Sequence, residues 1–247
     1  MKRYSWHARL FIGCVVLGGL GTLGCGASTS QWNLDLRFLS LLIMALLASR
    51  LSVPLPELNS SMSVNLPFLL VAAAWLSLPA ALIIGGAASL VQSIPTKKNS
   101  FRLVHALFNS SSMVIGIGAS WAALNTGIIL RATELPEKTL MLIVAMGIFF
   151  MAQTIPVTVI LSLTEGAGAF RTWLEIFTCT IPYYVLSAGL ACIISLANQY
   201  VGWFIPLLSL PVMFAVYRSY RRYFRQPMMA AVALAGGPAK SQAAGAM

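Results

Sequence analysis

Inside long apolar stretches this sequence keeps a small set of polar side chains, and these are where chemistry could sit. Asn65 opens one apolar segment, Gln92 and Ser93 close the next, and Arg102, His105, Asn109 and Ser110 to Ser112 begin another. Gln153 and Thr154 lie midway along a further segment, and Glu175 opens the one after it. A charge at mid-bilayer costs about 2.5–3.5 kcal/mol on insertion scales, so each such residue needs a reason. Asn65, Gln92, Asn109 and Gln153 form the candidate ligand-binding set, framing a modest cavity. Arg102, His105 and Asn109 follow i, i+3, i+7 spacing and share one helix face. Glu175 falls at the depth of Arg102, which makes Arg102, His105 and Glu175 a candidate polar cluster near the cytoplasmic side. Interhelical glue, with Arg102 snorkelling to the headgroups, is the competing reading. Gln153 precedes Pro156, which frees a backbone carbonyl one turn earlier and marks a kink of the kind that lines cavities.

Catalytic patterns are missing from the sequence. It has no HExxH, and two histidines, His7 and His105, do not make a metal cluster. The IGAS stretch around Ser120 faintly suggests an intramembrane serine protease, but such a site needs a histidine base from a later helix and none follows His105. No Walker motif occurs. The expectation is a non-enzyme without metal or cofactor.

The elements that must position these residues are membrane helices. Of 247 residues, 58% are hydrophobic and 9% charged, with mean hydropathy +0.83. A soluble surface needs about a quarter of its residues charged, so the chain reads as all-α and polytopic, with the lipid bilayer as its solvent. Apolar windows place eight spans at roughly 10–28, 36–51, 64–78, 80–95, 103–124, 139–163, 174–197 and 201–218. The second to fourth fall short of the roughly 20 residues of a full crossing. Six spans plus a re-entrant pair formed by the third and fourth is the alternative count.

The net charge of +10 does not mark a nucleic-acid binder, because the bases lie between apolar segments and at both ends. With the N-terminus inside, thirteen Lys and Arg fall on the cytoplasmic side and three (Arg37, Arg131, Lys138) outside, which puts both termini in the cytoplasm. The stretch 125–139 is the longest outer connection, a solvated loop carrying Glu134 and Glu137. Residues 1–225 read as one transmembrane domain. Its last helix extends through VYRSYRRYFRQ, whose Arg218, Arg221, Arg222 and Arg225 meet the membrane surface. Residues 226–247 read as a short cytoplasmic tail. The basic, then apolar, then small-residue start imitates a signal peptide, and cleavage before Cys25 is conceivable. Thr22, where a large aliphatic is expected, favours a first transmembrane helix. Cys14, Cys25, Cys179 and Cys192 lack CxxC spacing and read as small buried hydrophobes.

Small residues recur every fourth place at Ala81, Gly85 and Ser89, at Ser112, Gly116 and Ser120, and at Ser187 and Ala191. That spacing lets helix backbones approach closely. In SSMSVNLPFLL (60–70) the serines and Asn65 are expected to cap the free N–H groups of the helix that follows, with Pro67 in its first turn. A buried helix start would also offer its positive end to an anion.

MSVNLPFLL (62–70), LSLPAALIIGGAASLVQS (76–93) and LVHALFNSSSM (103–113) resemble the membrane-embedded N-terminal sensor (MASE-like) regions of bacterial cyclic-di-GMP signalling proteins. The resemblance covers about half the chain. It implies that Asn65, Gln92 and Asn109 matter to the fold or to a sensed ligand. No GGDEF or HD-type motif is present, so a signalling role needs a partner protein. The same stretch also resembles the substrate-binding subunits of energy-coupling-factor vitamin transporters. Those dock their partner through alanine-spaced small residues on an early helix, whereas the first segment here carries GGLGTLGCG (18–26). The expectation is a non-catalytic sensor or ligand-binding module of the bacterial inner (cytoplasmic) membrane. It would take a small apolar or amphipathic ligand and a signalling or transport partner protein. A vitamin-type transporter subunit and a ligand-free membrane scaffold are the alternatives.

Overall fold

A computed structural model describes residues 5–29, 35–55, 60–94, 103–125, 135–166, 168–201, 211–219 and 222. The chain is a helical bundle, with elements in the order α1 (Trp6–Ser28), α2 (Leu36–Arg50), β1 (Ser52–Leu55), β2 (Ser60–Ser63), α3 (Leu66–Trp75), α4 (Leu78–Ser93), α5 (Leu103–Asn125), α6 (Leu135–Glu165) and α7 (Ala169–Val201). Residues 211–219 are also helical. The 226–247 tail, Arg102, Arg221, Arg225 and most of the 125–139 connection lie outside the described residues.

The helical class is as the sequence reads, with one addition between α2 and α3. There β1 and β2 pair antiparallel, from Ser52 opposite Ser63 to Leu55 opposite Ser60. Pro54, which has no N–H to give, denies this stretch a helix. Val64 N–H donates to Leu51 O at 3.2 Å, which ties the ribbon's base to the end of α2.

Among the described residues, four helices are long and apolar enough to cross a membrane: Trp6–Ser28, Leu103–Asn125, Thr139–Thr164 and Ala169–Ala197. Helices α3 and α4 are shorter apolar helices. With ten residues, α3 is about 15 Å long, half of a hydrocarbon core of roughly 30 Å. It is nevertheless the middle of the molecule. Leu66 to Ala73 are all buried, and α3 packs against α2, α4, α5, α6 and α7. A helix buried on every side has no amphipathic stripe to display, which is why its sequence is uniformly apolar.

Glycine permits a close crossing of α1 and α5. A Cβ at Gly19 of α1 would stand 2.6 Å from Ser111 Cβ and 2.8 Å from Ser111 Cα on α5. Only a bare backbone passes there. Outward faces carry Leu10, Leu17 and Leu20 on α1, Leu39, Ile43 and Leu47 on α2, and Val185 and Ile193 on α7, all exposed. Side chains of this kind around the bundle suit lipid rather than water.

Candidate functional site

At the N-terminal end of α3, polar side chains from four parts of the chain converge. Ser49 stands in the last turn of α2, Ser63 ends β2, Asn65 is the residue before α3, Gln92 is in the last turn of α4, and Tyr183 lies mid-way along α7. Ser49, Ser63, Asn65 and Tyr183 are buried, while Gln92 is half-buried. Asn65 Nδ2 donates to Ser49 Oγ at 2.9 Å, and Ser49 Oγ donates to Ala45 O at 2.6 Å. Ser63 Oγ lies 2.9 Å from Asn65 Oδ1 and 2.9 Å from the Gln92 side-chain amide. A serine has one proton, so Ser63 donates to Asn65 Oδ1 or to Gln92 Oε1 one at a time; with the Gln92 amide turned over, its NH2 donates to Ser63 and both contacts close together. The bonds then run one way, from Gln92 through Ser63, Asn65 and Ser49 to the Ala45 carbonyl. Each donor polarises the next.

The backbone of α3 is tied into the same cluster. Four N–H groups at a helix start have no partner inside the helix, and inside a bundle each must find one. Leu66 N–H donates to Tyr183 Oη at 3.2 Å, and Tyr183 Oη donates to Ser63 O at 2.9 Å. Pro67 has no N–H. Phe68 and Leu69 donate to Asn65 O at 3.1 and 3.3 Å. The expected cap is therefore replaced: the Asn65 side chain makes no capping bond, and a tyrosine 117 residues away takes that role. Asn65 is held by Ser49 and Ser63 instead. With every donor of the first turn engaged, the helix end offers an anion nothing unless Tyr183 leaves.

The other end of α3 is clasped by α5. Asn125 Nδ2 donates to Ala73 O at 3.0 Å, and Trp121 Nε1 donates to Leu76 O at 2.9 Å. Leu76 N–H closes on Ala72 O at 3.0 Å. A half-length helix thus has its ends satisfied by side chains of full-length ones.

Of the four amide residues nominated from sequence, Asn65 and Gln92 meet through Ser63. Asn109 is exposed on α5, outside that network. Gln153 lies in the seam between α5 and α6, where its Nε2 donates to Ser112 O at 2.9 Å. Ser112 Oγ reaches Ala152 O, a long 3.4 Å. That is the carbonyl Pro156 leaves without its helical donor, so the freed group is answered by a neighbouring helix. Ser120 Oγ adds a contact to Ala145 O at 3.0 Å. The Ser112–Gly116–Ser120 stripe is thus a packed, hydrogen-bonded seam, and Gly116 leaves the room that Gln153 Nε2 fills, 2.8 Å from where a Cβ would stand.

Glu175 pairs with Arg171 on the surface of α7 at 3.1 Å. His105 is exposed on α5, and Arg102 is outside the described residues. Arg218 and Arg222 are exposed. Among the described residues no group of three or more His, Cys, Asp or Glu could hold a metal. The cysteines depart from their expected burial: Cys14 and Cys25 are exposed on α1, and Cys179 and Cys192 are half-buried. Helix α1 touches the bundle through Ala8, Val15, Gly19 and Gly26, so its other faces look outward.

Sequence reasoning missed Ser49, Tyr183, Trp121 and Asn125. Each lies in an apolar segment and carries a group that needs a partner once buried. That need was the available signal, and Tyr183 directly after Pro182 was the strongest instance. Chemically, the cluster consists of hydroxyls and amides. Ser49 and Ser63 are bonded to the Asn65 and Gln92 amides and the Ala45 carbonyl.

No protein-family model, curated protein or solved structure matches this chain.

Proposed function

We propose that this chain is a non-catalytic, multi-pass membrane module of the sensor type, placed in a bacterial inner membrane with both termini in the cytoplasm. Six spans with α3 and α4 as a re-entrant pair fit the shortness of α3 and the distribution of Lys and Arg. One observation carries the proposal: a buried polar chain ends at the half-buried Gln92, and its other members hold the central helix. A small amphipathic compound with a carbonyl or hydroxyl could take over the bond between Gln92 and Ser63. Helix packing around α3 would then shift, because Ser63 and Asn65 position its first turn. A soluble output protein at the basic 216–225 segment would read that shift.

A transporter subunit is the alternative: in the GGLGTLGCG stretch of α1, Gly19 and Gly26 face the bundle, while Gly18, Gly21 and Gly24 are exposed and leave a small-residue face outward. A thermal-shift screen of vitamins and lipids on the membrane-reconstituted chain tests the proposal. The expected result is a compound that raises the unfolding midpoint of the wild type and not of Gln92→Ala. If no compound does so, and Asn65→Ala with Gln92→Ala leaves co-purifying proteins unchanged, the ligand-free scaffold is the correct description. Recovery of an ATPase and a coupling subunit with the chain would move it to transport.

A further inference from the structure

Tyr183 does more than cap α3. We propose that it is a latch between the central helix and α7, and that α7 is the element that moves when the polar chain is disturbed; only the direction of signalling, from Gln92 outward, rests on the sensor reading. Ser63 is shared by both systems. Its side chain meets Gln92 and Asn65 at 2.9 Å, while its carbonyl accepts the Tyr183 hydroxyl at 2.9 Å. Pulling Ser63 toward or away from α4 therefore lengthens the bond that holds α7.

Two features let α7 respond. Pro182 sits inside the helix, directly before the latch. It denies Thr178 O its helical donor, which makes this the natural bend. On the other side of the bend, rings run in contact from Tyr183 to the start of α7. Tyr183 lies edge-on to Tyr184 at 5.9 Å and 80°, and Tyr184 to Phe150 of α6 at 4.8 Å and 86°. Phe150 meets Phe177 at 5.6 Å, and Phe177 meets Trp173 at 5.3 Å. Packed rings of this kind shift as a set rather than singly. Ser187, one turn beyond Tyr183, is buried with its hydroxyl unpartnered. On this face of α7 the Tyr183 hydroxyl thus carries the bond to the first turn of α3.

Hydrogen–deuterium exchange on the full chain in lipid nanodiscs tests the latch, without any added compound. Tyr183→Phe keeps the ring and deletes the hydroxyl. It is expected to raise exchange about fivefold, the factor carried by one buried hydrogen bond of about 1 kcal/mol, both in 63–70 and in 169–182. Trp121→Phe removes a bond at the opposite end of α3 and is expected to raise exchange there alone. A rise confined to 63–70 in Tyr183→Phe, or an equal rise in 169–182 with Trp121→Phe, overturns the proposal. Should Tyr183→Phe fail to fold, Gln92→Ala must itself raise exchange in 169–182, and no change there is equally decisive against it. A ligand screen that finds nothing leaves this measurement untouched, so the two ideas fail separately.

Discussion

Asn65 shows why a side chain's type is easier to read than its partner. An asparagine before Leu-Pro signals a helix start, and α3 does begin at Leu66. Its amide nevertheless serves Ser49 and Ser63 rather than the helix, because Tyr183 already occupies the Leu66 amide. Nothing local in the sequence states that a residue 117 positions on will arrive there. Asn65→Ala would remove both bonds from a buried site and is expected to cost about 2–3 kcal/mol, read as a lower unfolding midpoint in micelles. Gln153 offers the contrast. Its bond to Ser112 O joins two long helices that also pack along the whole seam, so Gln153→Leu is expected to cost about 0.5–1 kcal/mol. It should also leave the response to any compound dependent on Gln92 unchanged. Equal losses for the two variants would count against separate roles.

At the scale of elements, hydropathy located most helices within a few residues, since an apolar run bounded by charge or proline has few alternatives. The 60–63 serines read as a cap, whereas they pair with 52–55 as a ribbon. Two short strands of mixed serine and proline have no period strong enough to announce themselves. Small-residue spacing was legible too, but not which neighbour each stripe would meet. On α1, Gly19 lies against the Ser111 backbone while Gly13 has nothing within 4 Å of its Cβ position. Gly19→Ala should therefore push α1 off α5 and lower the unfolding midpoint. Gly13→Ala, which adds a methyl to open space in a helix, should leave it unchanged or raise it slightly. If the two alanines behave alike, the α1–α5 crossing is not held as described.

For the whole molecule, the membrane class was readable from composition because no arrangement of 9% charged residues covers a surface in water. Orientation is a sum over loops, so it too belongs to this scale. Reporter fusions after Arg225 and within 125–138 should report opposite sides of the membrane, with the N-terminus on the side of the first. The same side for both would refute the proposed topology. What composition cannot show is order in time. The residues that clasp α3 belong to α5 and α7, and the latter starts at Ala169, nearly a hundred positions after α3 ends. A ribosome delivers α3 long before the groups that complete it. Ten apolar residues are too few to hold a crossing alone, so this helix waits at the insertion machinery, or at the edge of the growing bundle, until the later spans close over it. The centre of the molecule is finished only when α7 arrives, and chains that stall before Tyr183 is made should be the ones that quality-control proteases remove.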